Sequence, residues 1–264
     1  MEVIARIHND FPTKFGLPRQ SGLAPSLRSK IIFEPAYRVA EALRGLDGFS
    51  YIWLIWGFSA NNEAPASQRA AEPFQTQRTA ASAASGGRCE GSCNSRPERQ
   101  VWAEPSRHWQ PTVRPPRLGG NVRMGVFATR SPFRPNPIGL SSVRLEGIED
   151  DGENGLVLIV SGADLMDGTP IYDIKPYLPG ADAHPDAKDG FVGEHRQLLL
   201  EVEIAPELAA RLTPSQLATL REILAQDPRP AYHASHTNPN RIYGLTYATL
   251  DIHFTVSGSR LKAF

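Results

Sequence analysis

Cysteine is nearly absent from this chain of 264 residues, since Cys89 and Cys93 are its only two. Two thiols cannot build a disulfide framework, and they cannot fill a four-ligand zinc site unless histidines complete it. The sequence also lacks any apolar run of about 18 residues, and its first residues lack the apolar core of a signal peptide. We therefore expect a soluble cytoplasmic protein with no metal site.

Acidic residues are missing from residues 106–145, a region that contains no Asp or Glu but seven arginines. Five prolines and four glycines lie between Arg114 and Leu140. Proline removes a backbone donor and glycine carries an entropic penalty, so a helix is excluded here. The pattern predicts stiff loops around two strands, one at residues 122–128 and one that begins at Ile138.

Arginines on such stiff loops suit an anionic ligand or a polynucleotide, because the planar guanidinium binds phosphate or carboxylate in bidentate fashion. The whole chain has a formal net charge of zero. Attraction for an anionic partner would therefore be confined to one face. The alternative is a solvated, arginine-decorated hairpin without a ligand, which repulsion between like charges disfavours.

The rest of the chain predicts a mainly β fold. Apolar periodicity predicts strands at residues 3–7, 46–58, 138–148, 155–161, 198–204 and 243–256. Short helices are expected at residues 37–43 and 208–224, the second region being split near Pro214. The chain lacks βαβ alternation and a Gly-x-Gly-x-x-Gly motif after a strand, which argues against a Rossmann fold.

We therefore expect a β-barrel core at residues 1–178 and a small C-terminal α/β domain at residues 179–264. Within the first region, residues 60–104 are dominated by Ala, Ser, Gln, Arg, Gly and Glu. Such a composition cannot bury enough apolar surface to offset the entropy of ordering, so it predicts a disordered insertion.

Three aspartates, Asp164, Asp167 and Asp173, are crowded around a tight turn. Crowded carboxylates can cap backbone amides, pair with the nearby arginines, or bind the hydroxyl or ammonium groups of a ligand. The sequence leaves capping and pairing open beside ligand binding.

Several motifs of the chain resemble the TsaA/TrmO family. They are Pro18-Arg-Gln, Arg114-Pro-Pro-Arg-Leu-Gly-Gly-Asn, Gly125-Val-Phe-Ala-Thr-Arg-Ser, Phe133-Arg-Pro-Asn-Pro-Ile-Gly-Leu, Asp164-Leu-Met-Asp-Gly-Thr-Pro, Asp173-Ile-Lys-Pro-Tyr and Asp227-Pro-Arg-Pro-Ala-Tyr. That family comprises S-adenosylmethionine-dependent methyltransferases that act on N6 of threonylcarbamoyladenosine beside the anticodon of tRNA. The resemblance implies a single-sheet β-barrel, a smaller C-terminal domain, and a homodimer with the cofactor near the subunit interface.

The resemblance also implies the cofactor-binding residues. They are Gln20, Ser21, Gly22, Phe58, Ser59, Arg130, Leu140, Gly162, Ala163, Asp164, Asp167 and Thr169. Two departures from the family stand together in sequence: Ser59 replaces a histidine found in many members, and a long insertion begins at Ala60. The insertion therefore starts beside a cofactor-contacting position.

Other site residues are predicted from their chemistry. The candidates for holding RNA phosphates or the substrate carboxylate are Arg114, Arg117, Arg134 and Arg229. Asn136, held between two prolines, is the candidate acceptor for a proton of the adenine amine. Tyr177 is predicted at the catalytic site, and Tyr177 or Tyr232 is expected to stack on an unpaired base of the anticodon loop.

Two other functions remain open at the level of sequence. One is a nucleic-acid-binding barrel without catalytic activity, which would use its arginines for phosphate contacts alone. The other is an enzyme that methylates a small molecule. The aspartate-rich turn disfavours the first, and the excess of arginine disfavours the second.

Overall fold

The computed structural model describes residues 1–58, 109–115, 118, 122–194, 199–230 and 241–264. The predicted insertion at residues 60–104, which includes both cysteines, lies outside the described residues. The same holds for three predicted site residues: Ser59, Arg117 and Tyr232.

Six strands close into a barrel, which confirms the predicted mainly β core. They are β1 (Ala5–His8), β2 (Arg28–Phe33), β3 (Tyr51–Gly57), β6 (Ile138–Asp150), β7 (Leu156–Ser161) and β8 (Pro170–Pro176). Between β3 and β6 lie the short strands β4 (Thr112–Val113) and β5 (Met124–Gly125), which pair with each other. The barrel order is β1-β2-β7-β6-β3-β8, with β8 pairing back to β1, and every neighbouring pair is antiparallel.

Side-chain alternation fills the barrel interior. On β3, Ile52 and Leu54 are fully buried and Trp56 is 8% exposed, whereas the alternate residues are more exposed. Successive side chains of a strand point to opposite faces, so these three residues face inward. The interior is completed by apolar residues of the other strands. Buried members include Ala5, Ile7, Ile31, Val143, Leu158, Val160 and Ile171.

The C-terminal part is a four-stranded sheet packed against a helix, as predicted. Its strands are β9 (Glu201–Ile204), β10 (Tyr243–Tyr247), β11 (Leu250–Ser257) and β12 (Arg260–Ala263), in the order β10-β11-β12-β9. The described helices are α1 (Pro179–Asp182), α2 (Phe191–Glu194), α3 (Pro206–Ala209) and α4 (Pro214–Ala225). Helix α4 begins with a capping box formed by Thr213 and Gln216. None of the described helices has both the length and the apolar composition that crossing a bilayer requires.

The core of this C-terminal sheet also contains residues from the start of the chain. Phe11, Ala24 and Leu27 are buried in it, and the ring of Phe11 lies 4.8 Å from that of Tyr247. These three residues belong to the segment between β1 and β2, residues 9–27, which we call the N-terminal segment. The segment therefore connects two barrel strands along the chain, but its apolar side chains pack in the C-terminal core.

Some sequence-based predictions of elements are wrong. Residues 122–128 form only the short strand β5 and a 3-10 turn, Val126–Ala128, because the carbonyls of Val126 and Thr129 accept hydrogen bonds from Arg134 at 3.1 and 2.6 Å. In place of a helix at residues 37–43 there are two 3-10 turns, Pro35–Tyr37 and Ala40–Leu43. The sequence analysis also missed β2, β8 and β12.

Candidate functional site

One rim of the barrel gathers the loops that carry most of the predicted site. Strands β1, β3 and β7 end at this rim, and their antiparallel neighbours β2, β6 and β8 begin there. The N-terminal segment, the residues that precede β6 and the turn at residues 162–169 all meet here. We call this the site rim.

Asp164 is the centre of a polar cluster at the site rim. Its carboxylate accepts a hydrogen bond from the Ser141 hydroxyl at 2.5 Å and another from the backbone N–H of Ser21. The Ser141 hydroxyl in turn accepts a hydrogen bond from the Trp56 ring nitrogen at 2.9 Å, and Ser141 is 1% exposed. The barrel interior thus holds one side of the carboxylate in a fixed orientation.

Burial raises the pKa of Asp164 above its ordinary value of 3.8. The Ser141 hydroxyl, the backbone N–H groups and the positive charge of Arg130 each favour the ionised form, but their sum does not overcome the loss of hydration. An incoming cation or hydroxyl donor would replace part of that lost hydration. The structure thus brings together three of the residues predicted to bind the cofactor: Ser21, Arg130 and Asp164.

Two glycines bring the N-terminal segment onto the aspartate turn. Gly22 donates its backbone N–H to the carbonyl of Gly162 at 2.8 Å, and Gly162 donates to the carbonyl of Leu27 at 2.9 Å. Gly162 has φ of +75°, and a Cβ there would lie 3.3 Å from the Cα of Gly22. Only glycine combines that backbone angle with so close an approach.

The other two aspartates have separate partners. Asp167 lies 3.2 Å from the His8 ring nitrogen Nδ1 and accepts the backbone N–H of Asn9 at 3.1 Å. Asp173 pairs with Lys175 at 3.0 Å. Capping and pairing therefore account for these two carboxylates, whereas Asp164 faces the predicted cofactor residues.

Four further predicted residues also lie near the site rim. Phe58 follows β3, packs on Trp56 with ring centroids 4.4 Å apart, and donates its backbone N–H to the Pro137 carbonyl at 3.1 Å. This contact places the exposed Asn136 near Phe58. Leu140 is 55% exposed on the outer face of β6, opposite Ile55 of β3. Thr169 is 2% exposed, so its side chain is enclosed rather than open to a ligand. Its backbone carbonyl accepts a hydrogen bond from the N–H of Ile7.

The prediction that Tyr177 belongs to the catalytic site is wrong for a single chain. Tyr177 and the aspartate turn lie at opposite ends of β8. Tyr177 comes directly after the last residue of the strand, and the turn comes directly before its first residue. At about 3.3 Å per residue, this strand separates the two by roughly 20 Å. Tyr177 instead packs against Tyr51 and Trp53 at the opposite rim, with ring centroids 6.3 and 5.6 Å away.

The arginines predicted to bind RNA have different surroundings. Arg114 is exposed. Arg134 is half-buried, and besides its bonds to the Val126 and Thr129 carbonyls it lies 5.6 Å from the ring centroid of Phe127. It therefore shapes the turn that leads to Arg130.

Arg229 requires a correction. It is 6% exposed, and two of its guanidinium nitrogens bind the two carboxylate oxygens of Asp227 at 2.7 and 2.8 Å. The hydrogen bond that Arg229 donates to Asp227 is also the main reason that the pKa of Arg229 is raised. A buried guanidinium that is already paired with a carboxylate is not available to an RNA phosphate, so the structure argues against Arg229 as an RNA contact.

The sequence analysis missed Ser141 and Phe127. Ser141 interrupts an inward-facing series on β6 that otherwise consists of Gly139, Val143 and Leu145. A polar residue at an inward position needs a hydrogen-bond partner, and this was a signal available in the sequence. Phe127 is 71% exposed and lies next to Arg134, and exposure of this kind has no sequence signature.

A cavity in the described part of the chain lies away from the site rim. It measures about 220 Å³ and is lined by residues of the opposite rim, among them Phe33, Arg38 and Leu156. It contacts neither Asp164 nor Arg130.

Comparison with known proteins identifies relatives along the whole chain. The family model of the tRNA-methyltransferase O N-terminal domain matches residues 6–84 and 100–183, and that of the TrmO C-terminal domain matches residues 197–263. The chain is 34% identical over 269 residues to a tRNA (adenine(37)-N6)-methyltransferase of Escherichia coli, covering 100% of this chain and 95% of the relative. It is 37% identical over 258 residues to a Pseudomonas aeruginosa protein described as an S-adenosylmethionine-dependent methyltransferase, covering 95% of this chain and 90% of that protein.

A solved structure gives the same result for the fold. The crystal structure of TrmO from Pseudomonas aeruginosa superposes with a TM-score of 0.67 at 31% identity, covering 100% of this chain and 95% of that one. Both family models match in order along a chain whose barrel and C-terminal sheet have the same arrangement as that structure. The protein therefore belongs to the tRNA-methyltransferase O family.

Proposed function

We propose that this protein transfers a methyl group from S-adenosylmethionine to the N6 amine of adenine 37 in tRNA. The observation that carries the proposal is the match of both family models together with full-length similarity to a tRNA (adenine(37)-N6)-methyltransferase. The polar cluster at the site rim supports the proposal that this activity is located there. As a finer proposal, the adenine carries a threonylcarbamoyl group.

The residues at the site rim fit S-adenosylmethionine chemically. That molecule carries an ammonium group, a sulfonium, ribose hydroxyls and a carboxylate. The carboxylate of Asp164 suits a cation or hydroxyl donor, and the exposed guanidinium of Arg130 suits a carboxylate. Phe58 adds an aromatic surface beside them. We therefore assign cofactor binding to Ser21, Arg130 and Asp164, with Gln20, Gly22, Phe58, Leu140, Gly162 and Ala163 around them.

The chemistry explains why the residues need only align and desolvate the reactants. S-adenosylmethionine supplies a methyl group that its positively charged sulfur has already activated, so the protein needs no covalent nucleophile. The adenine amine is a weak nucleophile. As its nitrogen bonds the methyl carbon, the carbon–sulfur bond breaks, S-adenosylhomocysteine leaves, and the amine proton passes to water. We propose that the side chain of Asn136, exposed at the site rim and fixed by flanking prolines, accepts a hydrogen bond from that amine.

For RNA binding we propose Arg114, together with Arg117 and Tyr232, which lie outside the described residues. Phe127 joins them because its ring is 71% exposed. The ring centroid lies 6.5 Å from that of Trp109 and 5.6 Å from the guanidinium carbon of Arg134. Such a ring can stack on an unpaired base, a contact worth about 1–3 kcal/mol. The anticodon loop offers unpaired bases at low cost.

Three further features complete the proposal. The protein is a homodimer in the cytoplasm, and its chain divides near residue 178 into a barrel part and a C-terminal part. The outer barrel face supports the dimer: Tyr51 is 43% and Leu140 is 55% exposed, with Trp53 and Ile55 between them. Sedimentation analysis of Leu140→Glu tests the proposed dimer contact. We expect this variant to shift from dimer to monomer.

The first experiment is a calorimetric titration with S-adenosylmethionine. The wild-type protein should bind saturably, and Arg130→Ala should weaken binding. Arg44→Ala is the matched control, because this exposed arginine lies in the loop that precedes β3, at the opposite rim. A tRNA methylation assay follows.

Either alternative function gives a distinct result. Binding of tRNA without any affinity for S-adenosylmethionine would show a nucleic-acid-binding barrel without catalysis. Cofactor binding with no interaction with tRNA would show an enzyme that acts on a small molecule.

A further inference from the structure

Helix α4 contacts the N-terminal segment through Glu222. Its two carboxylate oxygens accept hydrogen bonds from Ser26, one from the backbone N–H at 2.9 Å and one from the hydroxyl at 2.7 Å. Hydrogen bonds to an ionised acceptor are roughly twice as strong as neutral ones, and the paired geometry fixes orientation as well as distance. Ser26 is therefore held by the C-terminal part of the molecule.

The same segment makes its cofactor-side contacts only a few residues earlier. Ser21 donates its N–H to Asp164, and Gly22 donates to Gly162. On the far side of Ser26, the carbonyl of Leu27 accepts the N–H of Gly162. The Glu222 contact thus lies between two attachments to the aspartate turn, and it limits how far the segment can move away from that turn.

The start of the segment is held on both sides as well. Gln216 of α4 donates to the Asp10 carboxylate at 3.1 Å, and Phe11 packs on Tyr247. On the barrel side, the carbonyl of Phe11 accepts the N–H of Asp167 at 2.8 Å. These contacts anchor one end of the segment, and Glu222 anchors the other.

We propose that Glu222 is a positioning residue for cofactor binding, which it serves by holding Ser26 so that the Ser21 N–H faces Asp164. This inference rests on the proposed cofactor site and extends it to the C-terminal part of the chain. Glu222 touches neither cofactor nor substrate in this arrangement. It acts through the backbone of residues 21–26, so the barrel alone does not hold the cofactor site in its final geometry.

Glu222→Ala tests the inference against the wild-type protein. Removal of both acceptors should raise the dissociation constant for S-adenosylmethionine about tenfold, within the usual range for coupling between separate sites. Glu222→Gln keeps one acceptor oxygen and should recover part of the loss. Because the cofactor site is only loosened, the turnover number at saturating cofactor should change less than the Michaelis constant for the cofactor.

Amide hydrogen exchange without cofactor gives a second readout. Glu222→Ala should increase exchange at Ser21, Gly22 and Ser26 while leaving the β11–β12 pair protected. Arg221→Ala is the matched control, since the neighbouring Arg221 of α4 donates a hydrogen bond of 2.9 Å to the carbonyl of Val202 in β9, not to the segment. It should leave cofactor affinity unchanged.

The pair Ser26 and Glu222 allows a double-mutant cycle. Ser26→Ala should weaken cofactor binding by itself and have a smaller effect when Glu222 is already alanine. The inference is overturned if the wild-type protein binds S-adenosylmethionine and Glu222→Ala binds it equally well with unchanged exchange. If the wild-type protein itself shows no binding, the proposed function fails instead.

Discussion

At the scale of single residues, the ionisation of Asp164 is coupled to what it binds. Burial raises the pKa of this carboxyl above 3.8, so it gains its proton at a higher pH than an exposed aspartate. A cationic or hydroxyl-donating ligand favours the ionised form. Cofactor affinity should therefore be complete above the raised pKa and fall as the pH decreases through it.

Calorimetric titration across a pH series measures this effect. Asp164→Asn should bind the cofactor about tenfold or more weakly, since hydrogen bonds to charged groups contribute about 1.5–3 kcal/mol, and its affinity should lose the acid-side decrease. If the wild-type and Asp164→Asn proteins show the same pH profile, Asp164 is not the titrating group.

Asn136 carries a separate prediction, because its proposed role concerns the adenine rather than the cofactor. Asn136→Ala should reduce the turnover number by about 10²-fold, the lower end for assistance of proton transfer, with little change in cofactor affinity. Asn154→Ala, in the turn between β6 and β7 at the opposite rim, is the control and should keep full turnover. An unchanged rate in Asn136→Ala would remove this residue from the mechanism.

At the scale of elements, the crossing of Gly22 and Gly162 sets the spacing between the N-terminal segment and the aspartate turn. Gly162→Ala adds a Cβ 3.3 Å from the Gly22 Cα at a residue with φ of +75°. The left-handed angle alone costs about 1–2 kcal/mol, and the contact adds to it. We expect a lower free energy of unfolding and weaker cofactor binding.

Gly152→Ala separates the cost of the left-handed backbone angle from the cost of the close contact. Gly152 has φ of +69°, but a Cβ there meets nothing within 4 Å. In denaturant unfolding, Gly152→Ala should lower the free energy of unfolding only by the cost of the backbone angle. Its cofactor binding should be normal. Equal losses of affinity in the two variants would mean that the close crossing does not matter.

The elements also show how much of the fold could be predicted from the sequence. Strand β6 was predicted because a polar turn at residues 149–154 follows its apolar residues, and α4 because Pro214 marks its start. Strand β2 was missed because only six residues, Arg28–Phe33, follow a long loop. The local sequence pattern does not reveal the rim of the barrel at which a residue lies, as the position of Tyr177 shows. It also does not reveal long-range partners such as Ser26 and Glu222.

At the scale of the whole molecule, the charge is balanced overall but uneven along the chain. Arginines without neighbouring acids should make tRNA binding depend on salt, because bound phosphates release counterions. Arg114→Ala should weaken tRNA binding and reduce the salt slope by about one, as expected for loss of one phosphate contact. Filter binding at several salt concentrations measures both quantities, and Arg260→Ala, whose arginine pairs with Glu201 in the C-terminal sheet, is the control.

The insertion allows one further test on the whole molecule. Ser21, Arg130 and Asp164 all lie outside residues 60–104. Deletion of these residues should therefore leave the dissociation constant for S-adenosylmethionine unchanged in calorimetry. A loss of binding with retained thermal stability would show that the insertion contributes to the cofactor site.

The sharing of the N-terminal segment between two cores has a consequence for synthesis of the protein. Ser26 and its partner Glu222 are separated by 196 positions in the chain. During translation the segment leaves the ribosome long before its partners on α4 and β10 are made. Barrel strands can pair before then, but the segment lacks these packing partners until α4 and β10 have also been synthesised. If Glu222 positions the segment as proposed, cofactor binding requires synthesis of the C-terminal part and cannot precede it.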